Sequence, residues 1–549
     1  MVAWLSRLFP TFVALLVAIP VLGVLSNVLD HSLVSATAQT TWQHLLDTIL
    51  PDYTRVTGAL VLWVALGVIA GGSMAAWLVA LCEFPGRKWL EWGLILPLAM
   101  PAYVSAYAYT DFLQFTGPVQ TALRHYFGWE YGDYWFPEIR SLGGAALMFI
   151  AVLYPYVYLL ARNNFLERSP AMLEAARSMG YQPWQVFWRV SLPLARPAIV
   201  AGATLALMEV LADYGTVAYF GVTTFTTGIY RAWFSLGDRA AAAQLASMLL
   251  GIIFLLVVFE QLSRGRARFY TTGQRLHGQA VRPLTGWLGW GATLFCFLPI
   301  LLGFLLPTFL LLRLAWQEWQ LGQLLADSRY LHWLFNSVLL ASLTAICAVM
   351  AALWLAYAQR SRPSRWQSMC NRIVSLGYAV PGAIIAVGVL IPLAKLDNFL
   401  ADWLAAQWGW QVGLLFTGTM IALIYAYLVR FFAVAYQGID AGLQKITPAM
   451  DASARSLGYS PLGVLRKVHI PLLWRSLLAA GLLVFVDVMK ELPATLVLRP
   501  FNYDTLAVIA HQFATDERLG EAALPALTIV LVGLLPVMLL SRTMLKNNS

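Results

Sequence analysis

At 549 residues the chain is long enough for three or four soluble domains, but 60% of it is hydrophobic, only 11% is charged and its mean hydropathy is +0.69. A soluble surface of this size needs about a quarter charged residues, so the composition describes a membrane protein. The excess of 36 Lys and Arg over 27 Asp and Glu, a net +9, then records the orientation of loops and excludes a nucleic-acid partner as its cause.

A bilayer core needs about 20 apolar residues per helix. Twelve stretches meet this, at 8–28, 57–82, 92–114, 142–162, 195–222, 243–262, 287–314, 335–358, 371–396, 412–436, 474–497 and 521–541. The first follows Arg7 and precedes Ser35-Ala36-Thr37-Ala38. Its apolar run exceeds the core of a signal peptide, about 7–15 residues, and the expectation is a retained anchor. Span three holds Pro97 and Pro101, and span nine holds Pro381 and Gly382 at the same relative place. Such interruptions either open a helix toward a transport route or simply kink it. If even-to-odd loops and both termini share one side, that side holds 25 Lys and Arg against 7 acids, and the other 11 against 20. The basic side is expected to be cytoplasmic.

The stretch from Ser169 to Ile199 lines up without a gap on the stretch from Thr447, at a constant offset of 278. Pro170, Ala171, Met172, Ala176, Arg177, Ser178, Gly180, Tyr181, Pro183, Val186, Val190, Pro193 and Leu194 all recur. Agreement at polar loop positions means two copies of one folding unit. The expected organisation is all-α and polytopic: a first half over 1–263, a basic linker over 264–285 and a second half over 286–549, each with six spans. An even number of spans gives both halves the same orientation, as in parallel-repeat transporters. Within each repeated loop, 169–193 and 447–471, a short helix is expected to end at a left-handed glycine, Gly180 or Gly458. A second begins at the proline three places later. The elbow is basic and aromatic, which suits lipid headgroups, but a lipid anchor does not need identical glycine and proline positions. A protein-docking role is therefore expected.

The spacing Glu174-Ala175-Ala176, then Gly180, then Val190-x-Leu192-Pro193 resembles the cytoplasmic-loop motif of binding-protein-dependent ABC importer permeases. The second copy, with Ala454, Gly458, Val468, Ile470 and Pro471, is similar. It departs from the motif in having Ala452-Ser453-Ala454 for Glu-Ala-Ala, with its acid, Asp451, one place early. The resemblance implies that each loop is a coupling helix seated on a separate ATPase subunit, so two ATPase copies and a periplasmic binding protein would complete the machine in a bacterial inner membrane. The stretches Ala212 to Asp238 and Asp487 to Ala507 look like the fused, two-half permeases of ferric-iron importers. Thiamine and phosphonate importers belong to the same broader group.

Ionisable residues inside spans are costly and face a partner or a pathway. Glu209 and Asp213, four apart on one helix face, map by the 278 offset onto Asp487 and Glu491, with Lys490 beside them. Two readings stand: hard oxygen donors easing a hard cation through, or acids neutralised by Lys490 and bonded to backbone to fix helix packing. No GxxxxGK[ST] phosphate loop, HExxH or GxSxG occurs. The chain is expected to bind no cofactor, with ATP used by its partner. A gradient-driven secondary transporter would share the twelve spans without needing an ATPase. Cys82, Cys296, Cys347 and Cys370 form no ligand pair and read as buried small hydrophobes.

Overall fold

The computed structural model describes residues 2–29, 49–130, 132–166, 178–264, 282–322, 329–361 and 363–546. Among them, eleven helices are long and apolar enough to cross a membrane. The expected span at 92–114 is built differently. It is a helix Arg87–Gly93, a 3-10 turn Leu96–Ala99 and a helix Ala102–Leu113. A residue before proline is pushed out of the helical region. Accordingly Met100, ahead of Pro101, has ψ 112°, and Val380, ahead of Pro381, has ψ 121°. The second copy of the break lies between a 3-10 turn at Gly377–Ala379 and the helix Gly382–Trp408.

The duplication is explicit in the helices. Leu50–Leu81, Leu142–Leu166 and Leu192–Ala212 pack together, as do Tyr330–Ser361, Met420–Gln444 and Ile470–Met489. Small residues permit the close approach, because van der Waals packing, not hydrophobicity, joins helices in lipid. A Cβ on Gly72 would lie 2.9 Å from the Tyr154 carbonyl oxygen, and one on Gly202 would lie 2.8 Å from that of Tyr156.

Two compact units result, and each draws on both halves of the sequence. One comprises Met1–Asp47, Gly228–Leu250 and Leu325–Gln512; the other comprises Thr48–Thr227, Gly251–Leu324 and Phe513–Ser549. In the first unit, helix Val2–Leu29 packs against Arg365–Leu376 and Gly382–Trp408. In the second, helix Leu306–Gln320 packs against Leu519–Lys546, which also covers the 3-10 turn Leu96–Ala99. A two-residue parallel pairing of Cys82–Glu83 with Arg282–Pro283 fastens the end of the linker to the second unit. Cys82, Cys296 and Cys370 are buried as expected, and Cys347 is half-buried.

Candidate functional site

The second elbow shows how the repeated residues build the joint. Helix Pro448–Ser456 closes on Gly458, whose φ of +83° belongs to the left-handed region. The Gly458 N–H donates to the Arg455 carbonyl at 2.9 Å and the Tyr459 N–H to that of Ala454 at 3.2 Å. This paired closure satisfies the last free carbonyls of the helix, and Ala454 is buried beneath it. Ser460 then accepts from the Gly463 N–H at 3.2 Å, capping a short helix Pro461–Val464.

Next comes a π-turn, Leu465–His469, leading into Ile470–Met489. Its cause is Pro471, which offers no N–H and whose ring crowds the carbonyl four residues earlier, so the helix accommodates one extra residue per turn. The Ile470 N–H accordingly bonds back to the Leu465 carbonyl.

The first elbow repeats this design where it is described. Gly180 has φ +83°, a short helix spans Pro183–Val186, and a π-turn Phe187–Ser191 precedes Leu192–Ala212, with Pro193 near its start. The π-turns are 278 residues apart, the sequence offset of the repeat. Glu174, Ala175 and Ala176 lie outside the described residues. Both elbows turn apolar side chains outward: Met179 is 70% exposed and Leu457 77%, with Trp184, Trp188 and Leu462 also exposed.

Among the described residues the two elbows are held by different contacts. Asp451 Oδ2 accepts from Arg360 Nε at 2.8 Å, and Oδ1 lies 2.6 Å from His469 Nε2. Arg360 also donates to the carbonyls of Leu443 at 2.6 Å and Ile446 at 2.8 Å, and Tyr357 donates to that of Pro461 at 2.5 Å. Burial alone would raise the Asp451 carboxyl, but the hydrogen bonds from Arg360 and His469 outweigh it and hold the group below its ordinary value. In the first elbow the Phe187 ring instead packs 5.1 Å from that of Trp77. Sequence reasoning missed the ionic anchor. Its signal was a pair of departures from the repeat: Asp451 stands where the first copy has Leu173, and His469 where it has Ser191.

The intramembrane acids occupy the broken ends of two helices. Asp213 follows helix Leu192–Ala212, and its carboxylate accepts from the Thr216 N–H at 2.8 Å, the Val217 N–H at 3.4 Å and the Thr216 hydroxyl at 3.2 Å. Glu491 does the same after Ile470–Met489, accepting from the Ala494 N–H at 2.9 Å, the Thr495 N–H at 3.1 Å and the Thr495 hydroxyl at 2.7 Å. Each thus caps the short helix beyond the break, Gly215–Tyr219 or Pro493–Leu498. Lys490 pairs with Asp487 at 2.9 Å, while the partner of Glu491 is Arg430 at 3.0 Å. Arg430, assigned from charge to the basic loops, is buried inside helix Met420–Gln444. A Cβ on Gly382 would lie 2.6 Å from Glu491 Oε1 and 2.7 Å from Arg430 Nη1, so the break at Pro381 rests on this ion pair. Glu209 is half-buried on Leu192–Ala212. Among the described residues, no three His, Cys, Asp or Glu side chains come together in a metal-holding group.

Comparison with known proteins also finds the chain to be duplicated. The sequence model of the binding-protein-dependent transport system inner membrane component matches twice, over 64–268 and 348–546. The chain belongs to this family. It is a fused, two-half permease of the ABC importer type, and each match contains one elbow. The permease is 26% identical over 494 residues to the Fe(3+)-transport system permease protein FbpB 2 of Haemophilus influenzae, covering 88% of both chains. Over 206 residues, 36% of this chain and 87% of the relative, it is 30% identical to the molybdenum transport system permease protein ModB of Escherichia coli. Over 209 residues, 37% and 72%, it is 29% identical to the putative 2-aminoethylphosphonate transport system permease protein PhnV of Salmonella typhimurium.

Proposed function

We propose that the permease imports ferric iron, received from a periplasmic binding protein, and that two copies of a cytoplasmic ATPase drive it by gripping the elbows. The likeness to an Fe(3+)-transport permease along 88% of both chains carries the iron reading, because it extends over both halves. The molybdenum and aminoethylphosphonate relatives align over little more than a third of this chain. The docking reading is supported by the outward apolar side chains of both elbows, together with their left-handed glycines. The basic loops, and with them both termini, are then cytoplasmic.

In this reading, closure of the ATPase dimer moves the elbows and shifts the permease between inward- and outward-open states. Glu209, Asp213, Asp487, Lys490 and Glu491 would line or shape the route. The capping by Asp213 and Glu491 supports a shaping role for these two, since each fixes the broken helix end in its own repeat. Hard carboxylates ease the passage of a hard cation provided none holds it tightly, because strong binding slows release.

Uptake of labelled ferric iron, molybdate, 2-aminoethylphosphonate and thiamine in cells lacking the chain tests the substrate. Iron uptake is expected to be lost and restored by the intact gene. Loss of another solute with iron uptake intact would overturn the iron reading. Uptake that survives ATP depletion but collapses with the proton gradient would overturn the ATPase reading.

A further inference from the structure

Helix Arg365–Leu376 has two opposite faces. Gln367, Cys370, Asn371 and Val374 are buried, and the helix packs on Val2–Leu29 and Met420–Gln444. Arg365, Met369, Arg372 and Leu376, spaced four, three and four residues apart, form one stripe on the other side, and all four are exposed. Cations and apolar side chains alternate along it.

The stripe lies at the level of a membrane span. The Trp366 indole N–H donates to the Thr11 hydroxyl at 2.9 Å, and a Cβ on Gly377, directly after the helix, would lie 3.2 Å from Val17 Cγ1. Thr11 and Val17 both belong to Leu8–Ser26, an apolar stretch long enough to cross a bilayer. An arginine at such a level is costly unless an anion meets it. Arg162 and Arg430, buried in their helices, meet Glu91 and Glu491. Neither Arg365 nor Arg372 has a hydrogen-bond or ion-pair partner among the described residues.

No acid of the neighbouring helices stands ready for them. Val2–Leu29 and Tyr330–Ser361 contain no Asp or Glu. The one acid of Met420–Gln444, Asp440, accepts from the Gln444 amide at 2.7 Å and lines a cleft with Asn371, a residue of the buried face. Both guanidiniums are also peculiar to the second half. An offset of 280, which relates Pro101 to Pro381, puts Pro85 and Trp92 at their places in the first.

We infer that this stripe binds an anionic phospholipid, its phosphate held by Arg365 and Arg372 and its acyl chain laid along Met369 and Leu376. Seven residues of helix separate the two arginines by about 10 Å along the axis, within reach of one headgroup for two long side chains. The apolar residues between the cations select a lipid over a soluble phosphate. A zwitterionic lipid brings its own cation with its phosphate and leaves the stripe uncompensated, whereas an anionic one supplies the missing charge. The inference depends neither on the transported solute nor on where the ATPase sits.

Native mass spectrometry of the purified full chain in detergent, with equal amounts of phosphatidylglycerol and phosphatidylcholine added, tests it. Wild type is expected to retain phosphatidylglycerol in preference. Arg365→Gln or Arg372→Gln should weaken that binding about fivefold and the two together about thirtyfold, the usual contribution of one and two basic side chains at an anionic bilayer surface. The double variant should melt with wild type, because neither guanidinium holds another part of the protein. Arg365→Lys with Arg372→Lys, which keeps both charges, should keep the preference. The inference falls if wild type takes the two lipids equally, or if the double glutamine variant binds phosphatidylglycerol as tightly as wild type, as it would were the stripe a contact for another protein. It falls also if excess glycerol 3-phosphate displaces the lipid, which would make the ligand a soluble phosphate. Should the double variant fail to fold, either single substitution decides the matter.

Discussion

Asp451 and Arg360, 91 residues apart, join the second elbow to the end of helix Tyr330–Ser361 through a 2.8 Å hydrogen bond. Both side chains are largely buried, at 14% and 17% exposure, so the pair is worth more than an ion pair on an open surface. His469 and the Leu443 and Ile446 carbonyls complete the joint, which fixes the elbow to the helix core of its own repeat.

Asp451→Asn is expected to lower the thermal stability of the detergent-solubilised permease by about 1–3 kcal/mol, the range for losing a charged hydrogen-bond partner. On the proposed docking of the ATPase at the elbows, transport should fall further than stability, because a loosened elbow would not pass on force. The check is melting temperature alongside ATP hydrolysed per solute imported in the reconstituted complex. An unchanged ratio in a destabilised variant would make the pair purely structural.

The same group sets an acid limit. Its folded-state value lies below the ordinary one, so its stabilising contribution is fully present above the ordinary aspartate range, about pH 4. That contribution disappears as pH falls through the lowered value. Wild type and Asp451→Asn should therefore differ by a constant amount in stability from pH 5 to 8 as far as this carboxyl is concerned, and converge only at stronger acid. Melting curves across pH 3 to 8 would show it.

At Gly458 an added Cβ meets nothing within 4 Å, so substitution there is resisted by backbone conformation, not by space. Placing an L-residue at φ +83° costs about 1–2 kcal/mol. Gly458→Ala should therefore insert and fold with a modest loss of stability. Gly458→Trp should fold comparably yet lose stimulated ATP hydrolysis and transport, because its bulk projects where the ATPase is proposed to sit. Gly180→Trp should behave alike, since Gly180 has the same φ and the same open surroundings. Normal transport in both tryptophan variants would refute docking at the elbows.

What was legible in the sequence was local. The left-handed glycines follow from helix ends that need them, and the breaks at Pro101 and Pro381 follow from proline sterics. The exchange of helices between repeats was not legible. Helix Val2–Leu29 packs on Gly382–Trp408, but all spans are similarly apolar, and in lipid hydrophobicity carries no information about partners. The acids show the same limit. Of the two acids Lys490 was expected to neutralise, Asp487 or Glu491, it pairs with Asp487, three residues back and one turn along the helix. The partner of Glu491, Arg430, comes from another helix 61 residues away. The π-turns were also hidden, because a proline near the start of a helix ordinarily needs no extra residue ahead of it.

The Arg430–Glu491 pair supplies the sharpest test of the membrane interior. Glu491 is 4% exposed, and besides Arg430 it is held by two backbone N–H groups and the Thr495 hydroxyl. Removing the cation leaves a carboxylate that cannot be rehydrated, so Arg430→Met should cost about 3–5 kcal/mol, the usual penalty for orphaning one member of a buried pair. Glu491→Gln keeps the donors and the shape but orphans Arg430, so it should also destabilise, though less, because Arg430 is the more exposed partner. The double variant removes both charges and should recover much of the loss. Gly382→Ala should resemble Arg430→Met, since its Cβ would intrude on the same two side chains. A thermal-melting double-mutant cycle measures the coupling. If Arg430→Met melts with wild type while transport is lost, Glu491 is tolerated without its partner, and the pair acts on the route itself and not on the fold.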